Sequence, residues 1–146
     1  RELHFKSFNR ALNQICPEFS ISKEEHLSTY DGLPTTKKLE LLTINKGLPK
    51  DLYDKIWKKK QDTTLALMSE YTEDTKLSSI LYRLREKGIE MAVASNAVRE
   101  SIITALHHKK ILHYFWHVMS NQDVLRPKPN PEMYYKITSS YEKLFK

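Results

Sequence analysis

The 146-residue chain has a single cysteine, Cys16, and so no internal disulfide; one lone thiol agrees with a reducing compartment. It also lacks any apolar run near the roughly 20 residues that a membrane helix needs, so no membrane partner is expected. The opening RELHFKSFNR mixes charge and apolarity without the apolar stretch of a signal peptide, which makes the cytoplasm the expected location. There is no initiator Met; the chain starts at Arg1, and a piece of a longer protein is expected. Lysines cluster at Lys58, Lys59 and Lys60 and at Lys109 and Lys110, but without the aromatic or Gly-rich interleaving of an RNA-reading sheet. They read as solvated helix faces, and nucleic acid is the least supported class of partner.

What is present is the composition of a globular protein: 40% hydrophobic residues, with two Trp, eight Tyr and five Phe. Lys and Arg outnumber Asp and Glu by 24 to 18, a net +6 that suits a small phosphorylated ligand as well as nucleic acid. The first half reads as successive helices. Leu3, Phe5, Phe8, Leu12 and Ile15 recur at helical spacing until Pro17. Ser22 and Glu25 have the spacing of a capping box, with Gly32 as a stop. TTKKLELLTINKG is a third helix closed by Gly47, and Pro49 and Asp51 open a longer one with Leu52, Ile56, Leu65 and Met68 as its buried stripe. Short connections between them predict a small antiparallel bundle.

Beyond residue 72 the pattern changes. KLSSILYRLREKG is an amphipathic helix, and behind it IEMAVAS is short and apolar on both faces apart from Glu90, as a strand inside a parallel sheet should be. AVRESIITALHHKKI returns to helix, YFWHVMS reads as a second strand, and PEMYYKITSSYEKLF is a closing helix. Strand, crossover helix and strand make a βαβ unit.

In an open α/β sheet, ligands bind beyond the carboxyl ends of the strands. The first strand ends in AVASN, which puts the Ser95 hydroxyl, the Asn96 amide and the free N–H groups of a helix start at that rim, a place that welcomes phosphate. Ser and Asn are equally ordinary helix caps. In RPKPNP, Pro127 and Pro129 stiffen the backbone around Lys128, on the loop after the second strand, which opens onto the same rim. A hydroxyl and a cation there can share one phosphoryl group, the lysine offsetting charge on its oxygens.

IEMAVASN, followed about thirty residues later by RPKPNPEMYYK, resembles the second and third motifs of haloacid dehalogenase superfamily phosphatases, above all the beta-phosphoglucomutase-like and phosphoglycolate phosphatase-like group. ELHFKSFNRAL is similar to the first helix of that group's inserted cap, and DGLPTTKKLELL to its G-x-x-x-x-x-x-L segment, so the resemblance runs from about residue 2 to about 137. It implies an α/β fold: a partial Rossmann-like parallel-sheet core over 73–146 with an N-terminal helical-bundle cap over 1–72. It implies Ser95 and Lys128 as catalytic residues, and Asn96 and His4 as phosphate- or substrate-binding ones, with a plain helix-surface histidine as the alternative for His4. The substrate is then a small phosphorylated metabolite, turned over through an aspartyl-phosphate with Mg²⁺ in the complete protein. Where some relatives carry a phosphate-gripping arginine in the cap segment, this sequence has Thr35 or Thr36.

The family's first motif, a D-x-D pair supplying the nucleophile and an acid/base, is not among the aspartates at 31, 51, 54, 62, 74 and 123, nor is its fourth, acidic motif visible. Both belong at the ends, before Arg1 and after Lys146. The expectation is therefore the middle of a phosphatase, inactive alone. The alternative is a non-catalytic binding module, or one part of a split protein that self-associates or takes up a partner segment through an exposed sheet edge.

Overall fold

The computed structural model describes residues 2–146, which divide into two compact units, one ending at Leu67 and one running from Met68 to Lys146. The first unit begins with α1 (Glu2–Ile15), whose buried residues Ser7, Phe8, Ala11 and Leu12 fall at helical spacing. A 3₁₀ turn over Pro17–Phe19 follows where proline cannot continue the helix. Ser22 then starts α2 (Lys23–Glu25) through the expected reciprocal box: the Glu25 amide donates to Ser22 Oγ at 3.1 Å, and the Ser22 amide donates to the Glu25 carboxylate at 2.8 Å. After α2 the turn widens into a π-helical stretch, His26–Tyr30, which turns His26 and Tyr30 into the interior.

Next comes α3 (Thr35–Lys46), burying Leu39 and Leu42. It ends as its sequence requires: Gly47 takes φ 77°, its N–H donates to the Thr43 carbonyl at 3.0 Å, and the Leu48 N–H reaches back to Leu42 at 3.3 Å. The long helix expected from Pro49 is instead a 3₁₀ turn, Lys50–Leu52, followed by α4 (Tyr53–Ser69). Phe8, Leu12, Ile21, Tyr30, Leu39, Leu42, Leu48 and Ile56 form one core cluster. Past Ile56, α4 also buries Thr63 and Thr64, whose hydroxyls donate to the carbonyls of Lys59 and Lys60 four residues back, both at 2.8 Å, so the buried face is not purely apolar.

In the second unit Asp74 caps α5 (Thr75–Glu86), accepting the Leu77 N–H at 3.0 Å. Strand β1 (Ala92–Ala94), helix α6 (Arg99–His108) and strand β2 (His117–Met119) form the βαβ unit; the strands are parallel, with Ala92 opposite His117, Val93 opposite Val118 and Ala94 opposite Met119. Both strands are shorter than the apolar runs that suggested them. A strand lasts only as far as its partner does, and among the described residues each has one partner. The residues of β1 are accordingly half-buried rather than enclosed. The closing helix α7 (Glu132–Phe145) buries Met133 and sets Tyr141 and Phe145 against Trp116, with Trp116 and Phe145 centroids 5.6 Å apart. Helices around a small parallel sheet make the fold α/β. No helix among the described residues is long and apolar enough to cross a membrane.

Candidate active site

The carboxyl end of β1 turns sharply at Ser95. The Ser95 amide still donates to the Met119 carbonyl at 2.9 Å, extending the ladder, while its hydroxyl accepts the Ala97 N–H at 3.1 Å. A serine hydroxyl has one proton and two lone pairs. With Ala97 occupying a lone pair, the Ser95 O–H proton is left to point at an incoming acceptor.

Lys128 reaches the same rim from the loop after β2. Its ammonium donates to the carbonyl of Ala94, the residue before Ser95, at 3.0 Å. One of its three donors is thereby used and two are left for a ligand. The backbone of Lys128 is held as well: its N–H donates to Asn96 Oδ1 at 2.9 Å, and its carbonyl accepts from Asn96 Nδ2 at 2.8 Å. The structure thus brings Ser95, Asn96 and Lys128 to one rim. Asn96 spends both ends of its amide on Lys128, leaving a single N–H for anything else.

Behind this rim is a network that sequence reading missed. The Arg99 guanidinium grips both oxygens of Asp123 at 2.7 Å and donates to the Val118 carbonyl at 3.0 Å, while the Arg99 amide donates to Gln122 at 2.9 Å. Asp123 also accepts from the amide and the hydroxyl of Ser120, both at 2.7 Å. The S-x-x-D spacing of Ser120 and Asp123 is the capping-box signature, and it was legible. On the far side of the lysine loop, the Glu132 carboxylate takes the amides of Leu125 and Arg126 at 3.0 and 2.9 Å. Burial by itself would raise the Asp123 pKa, but the Ser120 bonds and the Arg99 charge outweigh it and hold the group at about 2. A depressed carboxylate stabilises the fold above its unfolded value of 3.8, and that contribution is lost as pH falls through about 2. At about 1.4 kcal/mol per unit the Ser120 bonds and Arg99 together contribute at most about 2 kcal/mol, less at the Arg99 end, where solvent screens the charge. Urea midpoints should fall between pH 4 and pH 2 in the wild type, and Asp123→Asn should flatten that fall; an identical slope in the variant would deny Asp123 this role.

His4 lies in the first unit. It is exposed on α1, yet surrounding protein strips part of its water, and with the charges of Lys60 and Lys38 this pushes its pKa down to about 4. Lys38 and Lys60 were not singled out by sequence. Lys38 is only 6% exposed, its ammonium 5.6 Å from the Phe8 ring centroid, and desolvation lowers its pKa against the opposing pull of Asp31. Lys60 is half-buried and also lowered, by desolvation and then by Lys38, so the third lysine of the KKK run is not a solvated one. The available signal was register: Lys38 stands four residues before Leu42 on the inward side of α3.

Magnesium does not fit what is here. Among the described residues no three His, Cys, Asp or Glu side chains gather to hold a metal ion, and the Ser95–Lys128 rim offers no carboxylate to a hard cation.

Comparison with known proteins agrees with this architecture. A CbbY from Rhodobacter sphaeroides, solved in complex with xylulose-(1,5)bisphosphate, superposes with a TM-score of 0.79 at 21% identity, over 97% of this chain and 66% of that one. A beta-phosphoglucomutase from Clostridium difficile gives 0.69 at 17% identity, over 92% and 61%. At such identities the likeness is one of fold. The (S)-2-haloacid dehalogenase 2 of a Pseudomonas sp. is 32% identical over 80 residues, 53% of this chain and 35% of its own length. The chain therefore spans under two thirds of these solved relatives and about a third of the dehalogenase. The sequence profile of the family described as haloacid dehalogenase-like hydrolase matches residues 1–143, nearly the whole chain, and the chain belongs to that family.

Proposed function

We propose that this chain supplies the cap and the Ser95–Lys128 rim of a phosphatase or phosphomutase acting on a small phosphorylated metabolite through an aspartyl-phosphate. The supporting observation is the ammonium of Lys128 fixed 3.0 Å from the Ala94 carbonyl, one residue from a serine hydroxyl with its proton unspent. Bound beyond β1, a phosphoryl group would take the Ser95 O–H on one oxygen and the free ammonium donors of Lys128 on another. Both donors are in place before reaction and cost no reorganisation as charge builds on those oxygens. The co-crystallised bisphosphate of the Rhodobacter relative agrees with a phosphorylated ligand. The boundary between cap and core belongs near residue 72, and the setting is cytoplasmic. The family generally works with Mg²⁺, which would supply charge neutralisation at the phosphoryl group; its ligands, like the aspartate nucleophile, would come from residues outside these 146. In this reading His4 contacts substrate as a neutral imidazole.

The purified 146-residue chain should not turn over p-nitrophenyl phosphate, whereas the same chain joined to a strand bearing D-x-D should do so with Mg²⁺. Mg²⁺-dependent turnover by the 146 residues alone would overturn the division of labour. A 2-haloacid, the substrate named by the Pseudomonas relative, is the comparison substrate, and dehalogenation without phosphatase activity would move the chain to the other branch of the family. One observation favours a second reading, a split or interaction module: β1 has a strand partner on one edge only among the described residues. Co-purification of a D-x-D-bearing polypeptide with the chain would select it.

A further inference from the structure

The loop that carries Lys128 has few means of holding itself. Proline at 127, 129 and 131 removes three amide donors, so across 127–129 only Lys128 has an N–H to give. That N–H goes to Asn96, 32 residues earlier in the chain, and the Lys128 carbonyl accepts from the same side chain. A primary amide that faces the N–H and the C=O of one residue in this way bonds the two peptide groups flanking its Cα, and fixes that residue's direction as well as its distance. The neighbouring supports act elsewhere: Glu132 holds the amides of Leu125 and Arg126, and Asn130 is engaged with Pro127 and Glu132.

We propose that Asn96 is a positioning residue, a two-bond splint whose amide sets the Lys128 backbone so that the ammonium lies at the Ala94 carbonyl beside Ser95. This rests on the reading of Lys128 as the cation that faces phosphate, and it changes the role given to Asn96 from phosphate ligand to scaffold. The geometry explains why the splint is a side chain: a rim loop rich in proline cannot be tied to β1 by a ladder of backbone bonds. It also explains the residue type. Aspartate would accept from the Lys128 N–H but repel its carbonyl, and leucine or alanine would leave both peptide groups to water.

The test joins a spectroscopic readout on the chain itself to a kinetic one on the active protein. With lysines reductively ¹³C-methylated, the Lys128 signal of Asn96→Ala should move toward that of a free lysine. The Lys136 signal, whose amine pairs with Glu132 at 3.3 Å, should stay in place. In the protein that carries D-x-D, Asn96→Ala should lower kcat roughly tenfold or more with KM little changed, as misplacement of a transition-state group does. Asn96→Asp, retaining one of the two bonds, should fall between. A Lys128 signal unmoved in Asn96→Ala overturns the splint, and so does a moved signal with kcat intact. If the signal moves but wild type turns over no phosphomonoester, the phosphatase reading fails while the splint stands.

Discussion

Lys128→Ala should lower kcat/KM for a small phosphomonoester by about 10²- to 10³-fold in the protein that joins this chain to its aspartate pair, the cost typical of removing one preorganised donor from a site of developing negative charge. The ammonium is half-buried, already oriented by its bond to Ala94, and flanked by a loop that prolines and the Asn96 amide keep still. None of this is needed for folding: the Lys128 side chain contributes one hydrogen bond to a surface rim and nothing to the core. The melting temperature of the variant should stay within a few degrees of wild type, which separates loss of chemistry from loss of structure. Lys128→Arg should recover only part of the activity, because a planar guanidinium cannot place a compact charge where the ammonium sits. Turnover unaltered in Lys128→Ala would remove the lysine from the reaction.

Much of this rim was legible because it depends on local rules. Apolar runs bounded by helix signals located both strands, and loops after parallel strands open on one edge, so Ser95 and Lys128 could be set together without coordinates. Gly47 and the Ser22–Glu25 box ended and began helices where short-range geometry requires. What escaped reading depends on distant partners. Neither the Arg99–Asp123 grip nor the Asn96–Lys128 pairing has a periodicity; the first joins side chains 24 residues apart and the second an amide side chain to backbone 32 residues on, partners that meet only after the βαβ unit has formed. The π-helical widening at His26–Tyr30 was missed for a related reason. Its sequence is compatible with an ordinary helix, and the extra residue per turn is justified by what it brings into the interior, Tyr30 and His26. Thr63 and Thr64 escaped because polarity argued for exposure, while their hydroxyls had carbonyl partners within their own helix.

The buried face of that π-helical turn leads to the second effect: lowering pH from 7 to 5 should destabilise the chain, and His26→Phe should reduce the dependence. His26 is 3% exposed, and among the described residues neither ring nitrogen has a hydrogen-bond partner. The Phe5 ring lies 4.8 Å away, centroid to centroid, and the nearest carboxylate oxygen, on Asp31, is 3.5 Å from Nε2. Burial first, then the like charge of Lys38, lower its pKa; Asp31 opposes them without prevailing. A histidine lowered on folding stays neutral in the native state while the unfolded chain takes up its proton. Its contribution is thus complete above the unfolded pKa near 6.5 and is lost as pH drops toward the folded value. Within that window each pH unit costs up to about 1.4 kcal/mol per such group. His4, lowered to about 4, adds in the same direction with a smaller weight because water reaches it. Against a typical total stability of about 5–15 kcal/mol, the loss is large enough to read as a shift in urea midpoint at pH 7, 6 and 5. Phenylalanine keeps the ring that Phe5 packs on and has nothing to protonate, so His26→Phe should leave the His4 slope. A wild-type midpoint that is flat across this range, or a slope undiminished in His26→Phe, would mean that His26 takes up its proton inside the fold and that Asp31, not burial, governs it.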